Sequence, residues 1–221
     1  MSTAVRGEKK ESVTWSQRGV VGSLVDQRVS SLQERVRAGD SSAVAMMAHL
    51  RHAAGKPAGS VPDVWSITLA AELVRPGDGD EPSHPEIAVH IALTLYAVHQ
   101  QSRPDRMHRR GVGFGRALRA LHPVDAETDP IRRRVQAVGT ADSIDELVHH
   151  ARGLVQLLRA AGQPLDYGLL ADQLHAWQRG DEVRVRLAWA RDFYRTEPST
   201  PKTAAAAEQA TAATPNNTTT S

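Results

Sequence analysis

Residues 87–98, IAVHIALTLYAV, are apolar on almost every face of a helical wheel. A helix of that kind has no side to give to water, so other elements must surround it. It falls well short of the roughly 20 apolar residues that cross a bilayer, and no longer apolar run occurs. The chain is therefore expected to place residues 87–98 at the centre of a protein core. The open question is what encloses them.

The rest of the sequence answers with helices. Ile144, Leu147, Val148, Ala151, Leu154, Val155, Leu158 and Ala161 recur at intervals of three and one, which is one face of a single helix. Asp142, Asp145 and Glu146 at its start suit the positive helix end. Leu24, Val25, Leu32 and Val36 mark a first amphipathic helix, and Asp40 is placed to cap a second through Val44, Met47 and Leu50. A third helix is expected through Val64, Trp65, Ile67, Leu69 and Leu73, followed by a loop over 75–86. Short helices are expected over 114–121 and near 130–138. Leu169, Leu170, Leu174 and Trp177 mark another, and Asp181 opens the last, with Val185, Trp189 and Phe193 on one stripe. No segment alternates with period two, and aromatic content is only 4%. The expected fold class is all-α.

The ends differ from this middle. Residues 1–22 are polar and lack periodicity, and 196–221 are Thr, Ala, Pro and Asn with almost no large apolar side chain. Such segments bury too little surface to offset the entropy of ordering them, so both are expected to be disordered tails. The N-terminus has no apolar leader segment, and the expected location is the cytoplasm. Cysteine is absent, which excludes disulfides and thiolate metal sites.

Charge is concentrated. Residues 103–136 carry nine arginines against four acids in a chain whose net charge is only +2. Within this block lies GVGFGRALRAL (111–121). Gly111, Gly113 and Gly115 do not match the dinucleotide pattern G-x-G-x-x-G, whose third glycine would fall on Arg116, and no strand leads into them. The Gly-Lys-Ser/Thr of a phosphate-binding loop is also missing. A tight turn launching a short helix fits better. Phe114, Leu118 and Leu121 then face inward, while Arg116 and Arg119 face out beside Arg109 and Arg110. In PIRRRVQAV, Ile131, Val135 and Val138 form an inner stripe that leaves Arg132, Arg133 and Arg134 outside. Two short helices presenting arginines outward suit a phosphate backbone, which takes positive charge without base readout.

Other constellations are weaker. The ten histidines include no H-E-x-x-H, and His149 and His150 project about 100° apart on a helix. His90 and His99 lie on the central helix, where a hydrogen-bonded core role is expected. The acids of 77–86 lack calcium-loop spacing. No metal, cofactor or small-molecule substrate is expected. A small hydrolase using His84 is a remote rival. Residues 164–178 and 181–195 form the alternative reading, a helix-turn-helix-like DNA-binding regulator.

LRHAAGKPAGSVPDVW (50–65), GVGFGRALRAL (111–121) and PLDYGLLADQLHAWQ (164–178), in this order and at these distances, resemble the CasB family, the small subunit of the type I-E CRISPR surveillance complex Cascade. The likeness covers roughly residues 24–195. It implies an all-helical protein with an N-terminal lobe (23–122) and a C-terminal lobe (123–195). It also implies no catalytic activity, and partners that include the other Cascade subunits and a second copy arranged head to tail. The nucleic acids implied are the crRNA–target duplex and the displaced single-stranded DNA of the R-loop. Matched by motif, Arg116, Arg132, Arg133, Arg51 and Arg179 stand at basic positions of the family. Gly113 stands where a serine is common, and His52 where a second arginine is often found. With Arg109, Arg110 and Arg119 from the surface argument, eight arginines make up the expected nucleic-acid site.

Overall fold

The computed structural model describes residue 15 and residues 17–74, 79–121 and 130–195. Most of the two expected tails (1–14 and 196–221) lies outside the described residues, as does the expected lobe junction at 122–129. Among the described residues the fold is all-α, with one isolated parallel bridge between His108 and Leu165.

The central helix, α4 (His84–Gln100), buries every residue from Ala88 to Gln100. It begins three residues before the apolar run because Ser83 and Glu86 form a reciprocal cap, with the Ser83 N–H donating to Glu86 Oε2 at 2.8 Å. Around it pack α1 (Val20–Arg37), α2 (Ser41–Ala53), α7 (Ile144–Ala161) and α8 (Tyr167–Ala176). Asp40 caps α2, accepting from the N–H groups of Ser42 and Ala43 at 2.8 and 3.2 Å. In α7 the expected stripe buries Leu147, Ala151, Leu154, Val155 and Leu158. Each fully buried leucine of this kind contributes roughly 1.5–3 kcal/mol. Helices α1 and α8 cross at glycines: a Cβ on Gly22 would sit 2.5 Å from the Gly168 carbonyl oxygen.

Two expectations are corrected. The helix expected over 64–73 is instead a 3-10 turn (Pro62–Val64), one turn of α-helix, α3 (Trp65–Thr68), and a second 3-10 turn (Ala71–Leu73). Arg28 from α1 donates to the carbonyls of Ile67 and Leu69 at 2.6 and 2.9 Å, taking acceptors that a continuing helix would need. The second correction concerns the N-terminal segment assigned to disorder through residue 22. Helix α1 starts at Val20, and Arg18 is already fixed by Asp166.

The basic stretch supplies α5 (Phe114–Arg119) and α6 (Pro130–Thr140). Helix α8 passes through a wide turn (Trp177–Asp181), opened by Gly180 at φ 89°, into α9 (Glu182–Tyr194). Val185, Trp189 and Phe193 of α9 are buried. Trp189 meets Phe114 edge to face at 5.2 Å and donates Nε1–H to Gln173 at 2.7 Å. The helix that the regulator reading assigns to a DNA groove therefore spends this stripe on its own core. One hydrophobic core joins α1, α2 and α4 to α7, α8 and α9. Among the described residues no helix is long and apolar enough to cross a membrane.

Candidate nucleic-acid interface

The glycine stretch forms a turn followed by a helix. Gly111 adopts φ 79°, a conformation that favours glycine. Gly113 is the residue before α5, and Gly115 lies on its buried side. A Cβ at Gly115 would meet the Trp189 carbonyl and lie 3.0 Å from Asp192 Cβ, so glycine lets α5 lie directly on α9. Phe114 and Leu118 are buried as expected, Leu121 is half-buried, and Arg116 is exposed. The N-terminus of α5 is not an open anion cradle. A Cβ on Gly113 would sit 3.1 Å from Asp192 Oδ2, which places the protein's own carboxylate there.

The structure gathers one set of the expected arginines. Arg119, half-buried, donates to the Arg195 carbonyl at the end of α9. Arg132 at the start of α6 lies over the ring of Tyr194, 5.8 Å from its centroid. The ends of α5, α6 and α9 thus converge. Arg116 stands one turn before Arg119, Arg133 beside Arg132, and both are exposed. Arg191 and Arg195 of the same corner are exposed too, and sequence reasoning did not include them. Tyr194 is 53% exposed and adds an aromatic surface among these charges.

The other four lie elsewhere. Arg109 and Arg110 occupy the turn before Gly111, against α1. Both are exposed, and Arg110 bonds Asp26 with Nε (2.9 Å) and Nη2. Arg51 is half-buried near the end of α2. Arg179 lies beyond α8, beside His175 and the segment before α4.

Beneath Arg110 is a polar network that sequence reasoning missed. Asp26 and Asp166 are buried, and Arg18 bridges them, 3.2 Å from Asp26 Oδ1 and 3.0 and 2.9 Å from the two Asp166 oxygens. Asp166 also accepts from the Gly111 and Leu169 N–H groups at 2.7 and 3.0 Å, so one side chain caps α8 and holds the basic turn. His108 Nδ1 accepts from the Tyr167 N–H at 3.2 Å, which leaves Nε2 to carry the proton and donate to Asp26 at 3.0 Å. Burial alone would raise the pKa of Asp26. Hydrogen bonds from Arg110 and His108, with the charge of Arg18, outweigh it and hold the carboxyl below its ordinary value. The sequence does contain a signal: Asp26 and Gln33 fall seven residues apart on the inward side of α1, beside Val25, Val29 and Leu32.

Asp26, His108 and Asp166 are also, among the described residues, the one group of three metal-type donors within 4.8 Å. Their oxygens are taken by two guanidinium groups, so the cation this site is built around is arginine. The other histidines divide similarly. His90 and His99 are buried and hydrogen-bonded, to the Lys56 carbonyl at 3.0 Å and the Tyr167 hydroxyl at 2.9 Å. His149 and His150 touch edge to face, with centroids 5.5 Å apart, despite their expected angular separation.

Comparisons with known proteins agree with this architecture. Residues 46–194 match the family described as CRISPR-associated protein Cse2. The crystal structure of CasB from Thermobifida fusca is similar at 43% identity and a TM-score of 0.71, covering 81% of this chain and 100% of that one. CasB from Thermus thermophilus shares the fold at 23% identity and a TM-score of 0.59, covering 78% of this chain and 97% of that one. No match was found among curated proteins. A match across two thirds of the sequence, and a close relative spanned from end to end, lead to one conclusion: this chain belongs to the Cse2 (CasB) family of CRISPR-associated proteins.

Proposed function

We propose that the protein is a non-catalytic small subunit of a type I-E Cascade complex that stabilises the R-loop by holding nucleic-acid backbone on a basic surface. The observation that carries this reading is the convergence of α5, α6 and α9, where Arg116, Arg119, Arg132 and Arg133 join Arg191 and Arg195 around Tyr194. Arginines at such a corner contact phosphates regardless of base, and an exposed ring beside them offers a stacking face for an unpaired base. Exchange of a DNA duplex for a guide–target duplex is nearly balanced in energy, so a few backbone contacts tip it toward the open loop. The crRNA–target duplex and the displaced DNA strand are the nucleic-acid partners, and the other Cascade subunits and a second copy the protein partners. Arg51, Arg109, Arg110 and Arg179 extend the surface away from this corner. The N-terminal lobe (23–122) and C-terminal lobe (123–195) remain the proposed division of the chain, and the cytoplasm its proposed location.

The test is reconstitution. Purified with its operon neighbours, the protein should co-elute with guide RNA and larger subunits. Arg116→Ala combined with Arg132→Ala/Arg133→Ala should leave assembly intact and shorten the lifetime of the loop. Wild-type loop lifetime in that variant would overturn the reading.

A further inference from the structure

The Asp26 network lies apart from the arginine corner and carries the exposed Arg110 on its outer side. Arg110 differs from the other basic side chains of the surface. It is 72% exposed, yet its Nε and Nη2 are both held by one buried carboxylate. A guanidinium has five N–H donors in a planar fork. Asp26 takes the Nε/Nη2 edge and leaves the Nη1 edge directed away from it. Asp26 itself cannot swing, because Arg18 and His108 hold Oδ1 at 3.2 and 3.0 Å. The backbone carrying Arg110 is equally fixed. The Arg109 N–H donates to Leu165 at 3.1 Å, Leu165 to Met107 at 3.0 Å and Asp166 to Val112 at 2.8 Å. Gln33 accepts from the His108 N–H at 2.9 Å. Among the described residues, by contrast, Arg109 and Arg133 make no side-chain hydrogen bond.

We infer that Asp26 is a positioning residue: it holds Arg110 as a rigid, outward-facing fork for a phosphodiester of bound nucleic acid. Ordering a long, exposed side chain on binding costs entropy, and a fork already held by a carboxylate has lost that freedom beforehand. The inference rests on the proposed nucleic-acid surface and adds to it a buried residue that touches no ligand. It also reverses a simple charge expectation. Removing a carboxylate raises net charge, and if charge alone mattered, Asp26→Asn would bind nucleic acid more tightly.

The experiment measures the affinity of the full-length protein for a single-stranded DNA oligonucleotide by fluorescence anisotropy, with thermal melting in parallel. Asp26→Asn and Arg110→Ala are each expected to weaken binding about tenfold, the scale of one lost charge-assisted contact. The double variant should be no weaker than Arg110→Ala, because Asp26 acts through Arg110. A merely structural Asp26 lowers Tm equally but leaves its effect on affinity intact in the Arg110→Ala background. Arg110→Lys keeps the charge and cannot bridge both Asp26 oxygens. It should bind like Arg110→Ala, and it serves even if Asp26→Asn does not fold. Asp26→Asn binding as tightly as wild type, additive losses in the double variant, or wild-type affinity in Arg110→Lys would overturn the inference. Arg132→Ala/Arg133→Ala separates the two claims. If that variant loses affinity while the Asp26 and Arg110 variants do not, the surface stands and the positioning role falls. If none loses affinity, both fall.

Discussion

Gly115→Ala tests how the arginine-bearing helix α5 is seated. By helix propensity alone, alanine for glycine inside a helix stabilises by about 1 kcal/mol. At Gly115 the new Cβ would lie 2.9 Å from the Trp189 carbonyl carbon, closer still to its oxygen, and 3.0 Å from Asp192 Cβ. These are mostly backbone atoms, which cannot rotate away, so α5 must move off α9. That movement loosens the Phe114–Trp189 contact at the heart of the pair. Overpacking of this kind costs roughly 1–3 kcal/mol or more, which outweighs the propensity gain. Because the clash is with backbone, the cost lies at the upper end of that range, about 3 kcal/mol; less the propensity gain, the net loss is about 2 kcal/mol, and a domain of this size drops by about 4–8 °C in Tm. Gly153→Ala in α7 is the control, because nothing lies within 4 Å of a Cβ there. It should raise Tm by about 2–4 °C. Melting followed by circular dichroism reads both variants. Equal shifts of the same sign would refute the close approach of α5 and α9.

Two further predictions follow from buried groups. Burial, opposed in part by the carbonyls of Gln163 and Leu158, lowers the His99 pKa from 6.5 to about 4. The unfolded chain therefore binds this proton more readily. Stability is complete above pH 6.5 and falls as pH drops toward 4, by about 3 kcal/mol in all. His99→Gln, measured by urea denaturation across that range, should flatten this part of the profile; an unchanged slope would contradict it. Asp166→Ala removes the cap of α8, both bonds to Arg18 and the bond to Gly111. It leaves Arg18, itself only 23% exposed, with Asp26 as its remaining ion-pair partner, and the lost cap and lost pairing together should destabilise by about 2–3 kcal/mol. A Tm within a degree of wild type would show that the network is not holding the turn.

How much of this was legible in the sequence depends on the range of the interaction. Helices α4 and α7 were readable because their apolar spacing is a local fact, and Asp40 because a cap lies next to its helix. The all-α class followed from the same periodicity. The 64–73 segment was misread because Arg28, some forty residues away, takes its carbonyls, and no local pattern encodes that. Arg18 was assigned to a disordered tail for the same reason: its partner Asp166 is 148 residues distant. At the candidate site, the outward placement of Arg116, Arg132 and Arg133 was visible as helical phase. That Arg119 folds onto the end of α9, and that Arg191 and Arg195 complete the corner, required the packing of three helices.

The central claim is that arginines at the junction of α5, α6 and α9 bind nucleic-acid backbone. The most direct measurement is the salt dependence of single-stranded DNA binding, compared between wild type and Arg116→Ala/Arg132→Ala/Arg133→Ala. Three lost phosphate contacts should make the slope of log K against log salt shallower by about 2, with weaker binding at low salt and no change in sequence preference. An identical slope and affinity in the triple variant would contradict the account.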